Sequence, residues 1–306
     1  MSGLSDYTAE AVLNWEAGVA PMPGSTAALS RFAALFSAAP TSDAGTGGTE
    51  VTGGGYARVQ VAGQLTANAS WTTSSTTITL ASTAPSWLTA LGTNGSGCNV
   101  YDATSGQNIG TISSVSGTTI TLTADAAHAS SGSSDLLQIS AFPQASASSG
   151  AEPATTPANV ANAAVVNWAQ ATGSWASAAT IPAWGLYDAS SAGDLITWDY
   201  LGNYKWIPFS CTSASPGVLT CDSTSDAPAN GSSIVVTAKF GGTLPATGGS
   251  WSGLLTTAGL SGATFTAGVN TTGIGGGEFR QVTAYGPIGN GVNVNFPASS
   301  FTLTLA

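Results

Sequence analysis

Along most of this chain, apolar residues alternate with Ser and Thr in short runs, a period-two pattern that predicts strands. The one exception is the beginning. Leu4, Tyr7, Ala11 and Trp15 recur at helical spacing, Ser5 supplies an N-cap, and Asp6 favours the first turn. Gly18 and Pro21 then stop that helix. Residues 31–36, Arg-Phe-Ala-Ala-Leu-Phe, form a short apolar strand that ends ahead of Pro40. A Gly-rich loop leads into 56–61, Tyr-Ala-Arg-Val-Gln-Val, which alternates. The segments 183–188 and 194–200, split by a Ser-Ser-Ala-Gly turn, predict a hairpin, and 164–168 adds a short strand before it. The cleanest alternation lies at the end, in 292–296 and 301–305 around a Pro-Ala-Ser-Ser turn.

One string recurs. Ser74-Ser-Thr-Thr-Ile-Thr-Leu80 reappears as Ser116-Gly-Thr-Thr-Ile-Thr-Leu122, 42 residues on, each time with Ile and Leu on one face and Thr on the other. Between the copies, turn residues fall at about ten-residue intervals, the spacing of a small all-β module. Residues 143–160 are a low-complexity Pro/Ser/Ala stretch and read as an extended linker or surface loop.

Composition narrows the function. Of 306 residues, 5 are Lys or Arg and 15 are Asp or Glu, a net charge of −10. Charged residues make up 7% of the chain, against about 25% in ordinary domains. No basic patch can form from five cations, which excludes nucleic acid and a basic membrane-surface helix. Nine Trp and 42% hydrophobic residues argue against disorder. No apolar run approaches the ~20 residues of a membrane span. The opening Met-Ser-Gly-Leu-Ser-Asp has no basic region or apolar core, so no signal peptide is expected. This uncharged, Gly- and Thr-rich chemistry is that of extracellular-type β proteins and virion parts.

Candidate chemistry is sparse. Cys211 and Cys221 flank a Ser-Pro-Gly turn, and two readings stay open: a hairpin that brings them together as a disulfide, or two unpaired thiols. Cys98 reads as a small loop residue, and the absence of a Cys-x-x-Cys or Cys/His cluster argues against zinc. His128 lacks a nucleophile elbow to serve. Asp188, Asp194 and Asp199 flank one turn, where Asp is expected for backbone reasons. The Gly-rich runs at 45–49 and 273–277 lack the Lys-Ser/Thr of a phosphate loop. Asp222-Ser-Thr-Ser-Asp226 spaces oxygens as calcium loops do, without their downstream Glu, so a capped turn is the better reading. Sugar rings stack on exposed aromatics, which makes Trp71, Trp87, Trp206 and Trp251 candidate glycan contacts; the competing reading makes them core plugs. No catalytic residue, metal or cofactor is expected.

Three pieces of the chain carry a resemblance. Residues 33–40 followed by Gly47-Gly-Thr-Glu-Val-Thr-Gly-Gly-Gly-Tyr-Ala-Arg58, then Trp184-Gly-Leu-Tyr-Asp-Ala189, then Phe296-Pro-Ala-Ser-Ser-Phe-Thr-Leu-Thr-Leu305, are similar to a group of small tailed-phage virion proteins of tail-fibre or head-decoration type. The resemblance implies a mainly β fold: a β-sandwich or jelly-roll-like core behind a short N-terminal helix, closed by a C-terminal hairpin. This chain is about twice the length of such proteins, so two inserted small β modules are expected. The expected division is a discontinuous core of 1–64, 141–203 and 285–306, with inserts at 65–140 and 204–284. The second insert is similar to a small β module of phage structural proteins.

The implied role is a non-enzymatic structural subunit on the virion surface, as capsid decoration or fibre, made in the host cytoplasm. Its partners would be other virion proteins of capsid or tail and copies of itself, most simply as a trimer. The alternative is a carbohydrate-binding adhesin that contacts host glycans.

Overall fold

A computed structural model describes residues 6–22, 28–40, 48–130, 135–145, 159–176, 179–202, 206–238 and 254–304. The fold is mainly β, as the alternation predicts, with sandwich-like and barrel-like sheets. The helix α1 (Asp6–Glu16) is where helical spacing places it. Gly18, at φ +67°, turns the chain out of the helix. The buried Arg31 then holds its end: Nη2 donates to the Trp15 carbonyl at 2.7 Å and Nε to that of Glu16 at 2.9 Å. A guanidinium there meets the negative end of the helix dipole.

Two strands flank the Gly-rich loop, β1 (Arg31–Ala38) and β2 (Thr49–Glu50). Then come β3 (Val59–Ser70), β4 (Thr77–Leu80), the short helix α2 (Ser86–Ala90), β5 (Asn99–Asp102), β6 (Gln107–Ser116), β7 (Thr119–Leu122) and β8 (Asp135–Ser140). After the low-complexity stretch follow β9 (Asn159–Ala161), β10 (Val166–Asn167), β11 (Ala183–Tyr187) and β12 (Leu195–Tyr200). The last group is β13 (Ile207–Cys211), β14 (Val218–Cys221), β15 (Ser233–Ala238), β16 (Leu255–Thr256), β17 (Ala258–Ser261), β18 (Thr264–Thr266), β19 (Gly276–Val282), β20 (Asn295–Phe296) and β21 (Thr302–Thr304).

The first sheet runs β12-β11-β1-β3 and continues β4-β7-β6-β5-β8, and β8 pairs back onto β3. That last pairing closes β3 to β8 into a six-stranded antiparallel barrel. The two copies of the Thr-Thr-Ile-Thr-Leu string are β4 and β7, and they pair with each other, Ile78 opposite Ile120. Both Ile are fully buried, so the repeat is one wall of the barrel seen from its two strands.

The expected boundary at 64/65 falls inside β3. β3 runs unbroken across it, pairing with β1 at its start and with β8 and β4 further on. The barrel and the core share one hydrophobic cluster, from Leu13 through Ile120 to Leu303. The barrel strands continue the core sheet.

The closing strands also differ from expectation. They do not form a hairpin: β20 pairs with β10 and β21 with β9. Their apolar side chains lie too deep for a free hairpin. Val294, Phe296, Phe301 and Leu303 are all buried, with the Phe301 ring tilted against Trp184 at 4.6 Å between ring centroids. Strand β3 starts three residues later than the alternation suggests, because Tyr56 closes a turn with the Gly53 carbonyl. Of the low-complexity stretch, 146–158 lies outside the described residues, and its ends are held: Ala145 donates to Asn14 Oδ1 and Val160 is buried in β9.

Residues 207–282 form a second sheet with a cluster of its own, built on Ile207, Phe209, Leu219, Ile234, Phe265 and Phe279. The run 255–261, interrupted only at Thr257, pairs with β15 through β16 and with β18 through β17. The remaining ladders join β15 to β19, β19 to β13, β13 to β14 and β14 to β18, so this sheet closes as well. It meets the first unit where Thr283 N–H donates to the Leu201 carbonyl and Gly202 bridges Val282.

Candidate functional site

The Glu-Val-Thr-Gly-Gly-Gly-Tyr-Ala-Arg string folds into a clamp. Arg58 makes a two-pronged ion pair with Glu50, Nε to Oε1 at 2.9 Å and Nη2 to Oε2 at 2.7 Å. Its Nη1 donates to the carbonyls of Ala189 and Ala192 in the β11–β12 turn, and its Cζ lies 3.3 Å from the centre of the Tyr187 ring. Burial lowers the proton affinity of the guanidinium, but the Glu50 carboxylate more than compensates and holds it above its ordinary value. Tyr56 donates to Glu50 at 3.2 Å and accepts the Leu35 N–H at 2.9 Å; burial raises its phenol well beyond the normal range.

The three glycines between these residues, at φ +83°, +51° and +77°, make the turn that brings Tyr56 and Arg58 back over Glu50. A Cβ on Gly54 would collide with the Gly173 carbonyl, and the Gly54 carbonyl accepts the Trp175 indole N–H at 3.0 Å. The second string meets the first here: Tyr187 and Ala189 are the partners of Arg58, while Asp188 accepts the Asp194 N–H at 2.8 Å to close the turn. The third string packs behind through Trp184 and Phe301. Three distant sequence pieces thus occupy one neighbourhood. Every polar group named in it is spent on structure.

The aromatic candidates separate. Trp71 is buried, its indole N–H donating to the His128 carbonyl at 2.7 Å and its ring edge-on to the His128 imidazole. That places it as a plug, with no face free for a sugar. Trp87 is partly buried on α2 and lines a half-open depression of about 150 Å³ with Gln64, Leu65, Leu80, Ser82 and Thr83. Trp206 is 40% exposed, with the Arg280 guanidinium 5.2 Å from its ring. Trp251 lies outside the described residues.

Two aromatics escaped the sequence reading: Trp198 and Tyr200, edge to face on β12 with centroids 5.6 Å apart. Their signal was their alternation on one face of a strand. Arg280 lies beside Tyr200, forks onto Asp199, and is itself buried, which lowers its pKa to about 10.

The remaining candidates do not converge. Asp188 serves a turn and Asp199 an ion pair, so with Asp194 they form no carboxylate pair aimed at a common point. Among the described residues no group of three or more His, Cys, Asp or Glu is placed to hold a metal. The Gly-rich run at 273–277 gives a turn in which the Gly273 N–H donates to Ser213 Oγ, and the run at 45–49 lies mostly outside the described residues.

Cys98, Cys211 and Cys221 are free thiols. The β13–β14 register sets Cys211 opposite Leu219 and Cys221 opposite Phe209. The two cysteines are diagonal neighbours, roughly 7–8 Å apart in such a ladder, beyond the Cα separation a disulfide spans.

Residues 3–137 match the family described as Podophage GP4 fiber I protein gp80. The N-terminal part of this chain is similar to a phage fibre protein. The resemblance to tailed-phage virion proteins is thereby shown, and its extent is informative. The match runs from α1 into β8, so it includes most of 65–140, the segment expected to be an addition to the family pattern. The strings at 184–189 and 296–305 fall outside it. No curated protein and no solved structure matches the chain. No helix among the described residues is long and apolar enough to cross a membrane.

Proposed function

We propose that this protein is a non-enzymatic structural subunit of a tailed-phage virion, displayed at the particle surface as a fibre-type component. The observation that carries the reading is the fibre-family match over 3–137. The clamp around Arg58 agrees with it, because a string shared with virion proteins is used here to hold a scaffold together. Its partners are other virion proteins and copies of itself, most simply in a trimer. With five cations per chain the contacts between copies are apolar and hydrogen-bonded, so assembly should change little between roughly 50 and 500 mM salt. Gold-labelled antibodies against residues 207–282 on intact particles test the placement. Label on fibres at the neck or tail is expected; label spread over the head lattice would instead make it a capsid decoration, and no label on the particle would overturn the virion role.

The second reading, an adhesin for host glycans, is favoured by one observation: Trp206 keeps 40% of its surface open beside a rigid cation. Glycan-array binding lost in Trp206→Ala with an unchanged melting temperature would establish it. No binding at micromolar protein would end it.

A further inference from the structure

The two barrels become comparable when their strands are lettered in chain order. In the first, strands a to f are β3, β4, β5, β6, β7 and β8, and the ladders connect them as a-b-e-d-c-f and back to a. In the second, a to f are β13, β14, β15, the β16–β17 run, β18 and β19, and the circuit is again a-b-e-d-c-f and back to a.

The likeness extends to register. The d–e turn is closed by Ser116 opposite Thr119 in one barrel and by Ser261 opposite Thr264 in the other. Each turn has Gly first, Gly117 at φ +56° and Gly262 at φ +60°. The strings there are Ser116-Gly-Thr-Thr-Ile-Thr121 and Ser261-Gly-Ala-Thr-Phe-Thr266. One residue into strand e the buried apolar side chain faces strand b in both, Ile120 opposite Ile78 and Phe265 opposite Leu219. Strand d carries an irregularity within a few residues of the turn in both.

Strand f seats each barrel. In the first, Leu137 and Ile139 are in the cluster, and the alternate residues face out. Gln138 donates to the Gly18 and Leu29 carbonyls and accepts the Leu29 N–H, while Ser140 donates to the Ala17 carbonyl. In the second, Phe279 is in the cluster and its neighbour Arg280 forks onto Asp199 of β12, flanked by Tyr200 and Trp206.

We propose that residues 207–282 are a second copy of the barrel formed by 59–140, and that the outer face of strand f is the surface by which each copy docks on the rest of the chain. The partner surface is the backbone of Ala17, Gly18 and Leu29 for the first copy and β12 for the second. An amide does in one what an ion pair does in the other. This holds whether or not the virion role does, since it rests on ladders and registers alone.

Hydrogen exchange on the full chain tests the docking. In Asp199→Ala, the Thr283 amide should exchange about tenfold faster while β14, β15 and β18 keep their protection. In Gln138→Ala, the Leu29 amide should behave likewise while β5, β6 and β7 stay protected. Unchanged exchange at either seat, or loss of protection across the barrel strands, would overturn the docking claim. Copy identity is tested by exchanging the hairpin strings, 116–121 for 261–266 and the reverse. Both grafts should retain the Ser–Thr closing pair, read from backbone contacts by NMR; a slipped register in both would refute equivalence.

Discussion

The barrel of 59–140 and the barrel of 207–282 have one strand circuit and opposite relations to their surroundings. The first shares β3 and its hydrophobic cluster with the core, so its interior and the core interior are a single apolar body. The second has a cluster of its own and touches the first unit through an ion pair and a few backbone bonds. Topology, then, does not set independence. What sets it is whether a strand is shared, because a shared strand carries burial across the junction while a polar contact carries only about 1 kcal/mol per hydrogen bond.

The sharpest way to break this comparison is to hollow each barrel in turn. Phe279→Ala removes a fully buried ring and should cost ~3–5 kcal/mol. Calorimetry should show the transition of the second barrel falling while that of the first unit stays. Ile120→Ala, costing ~2–5 kcal/mol, should lower the first barrel and the core together. A single transition that moves as a whole in both variants would refute the distinction.

Next in size is Gly54→Ala. The residue is at φ +51° and its Cβ would meet the Gly173 carbonyl. A loss of about 2–3 kcal/mol, confined to the first unit, is expected from the strain and overpacking together. Glu50→Gln follows, at ~1–3 kcal/mol, because it leaves the Arg58 guanidinium, whose side chain is 8% exposed, without a countercharge. Chemical denaturation followed by a core tryptophan signal reads both.

The last effect is alkaline and is small up to about pH 10. Burial pushes the Cys98 thiol up to about 12 in the folded protein, from an ordinary value of 9.0. Below pH 9 both states keep the proton and the thiol costs nothing. As pH rises from 9 towards 12 the unfolded chain releases the proton first, so stability falls, by at most ~1.4 kcal/mol per pH unit. Cys98→Ala should flatten that slope; an unchanged slope would assign it to other groups. The unsubstituted protein, unfolded without reductant, should yield three titratable thiols.

Much of the first unit was legible. Helical spacing located α1, a short apolar run located β1, alternation located β4 and β7, and the Ser-Ser-Ala-Gly turn located the β11–β12 hairpin. The failures share a cause. The alternation in 292–305 reports burial on one side but not which strand lies alongside, and the partners, β9 and β10, are over a hundred residues upstream. The expected boundary at 64/65 falls within β3, whose far end takes barrel partners that no local pattern names. At the clamp, the residues were visible as a string, but their joint purpose depended on the distant Tyr187 and Ala189. The likeness of the two barrels left only Ser-Gly-x-Thr-apolar-Thr in the sequence, too short to stand out among many Thr-rich strands.

Strand β3 has a mechanical consequence. It is twelve residues long and takes part in both the core sheet and the barrel. A pull along its axis loads the β3–β8 ladder in shear, so that its bonds share the force and must give way together. The junction at Leu201, Gly202 and Thr283 is short and lies where the second barrel meets the first unit, so a pull on that barrel opens its few contacts one after another. One chain therefore contains a stiff joint and a compliant one, and under tension the second barrel yields first while the matched segment keeps its shape.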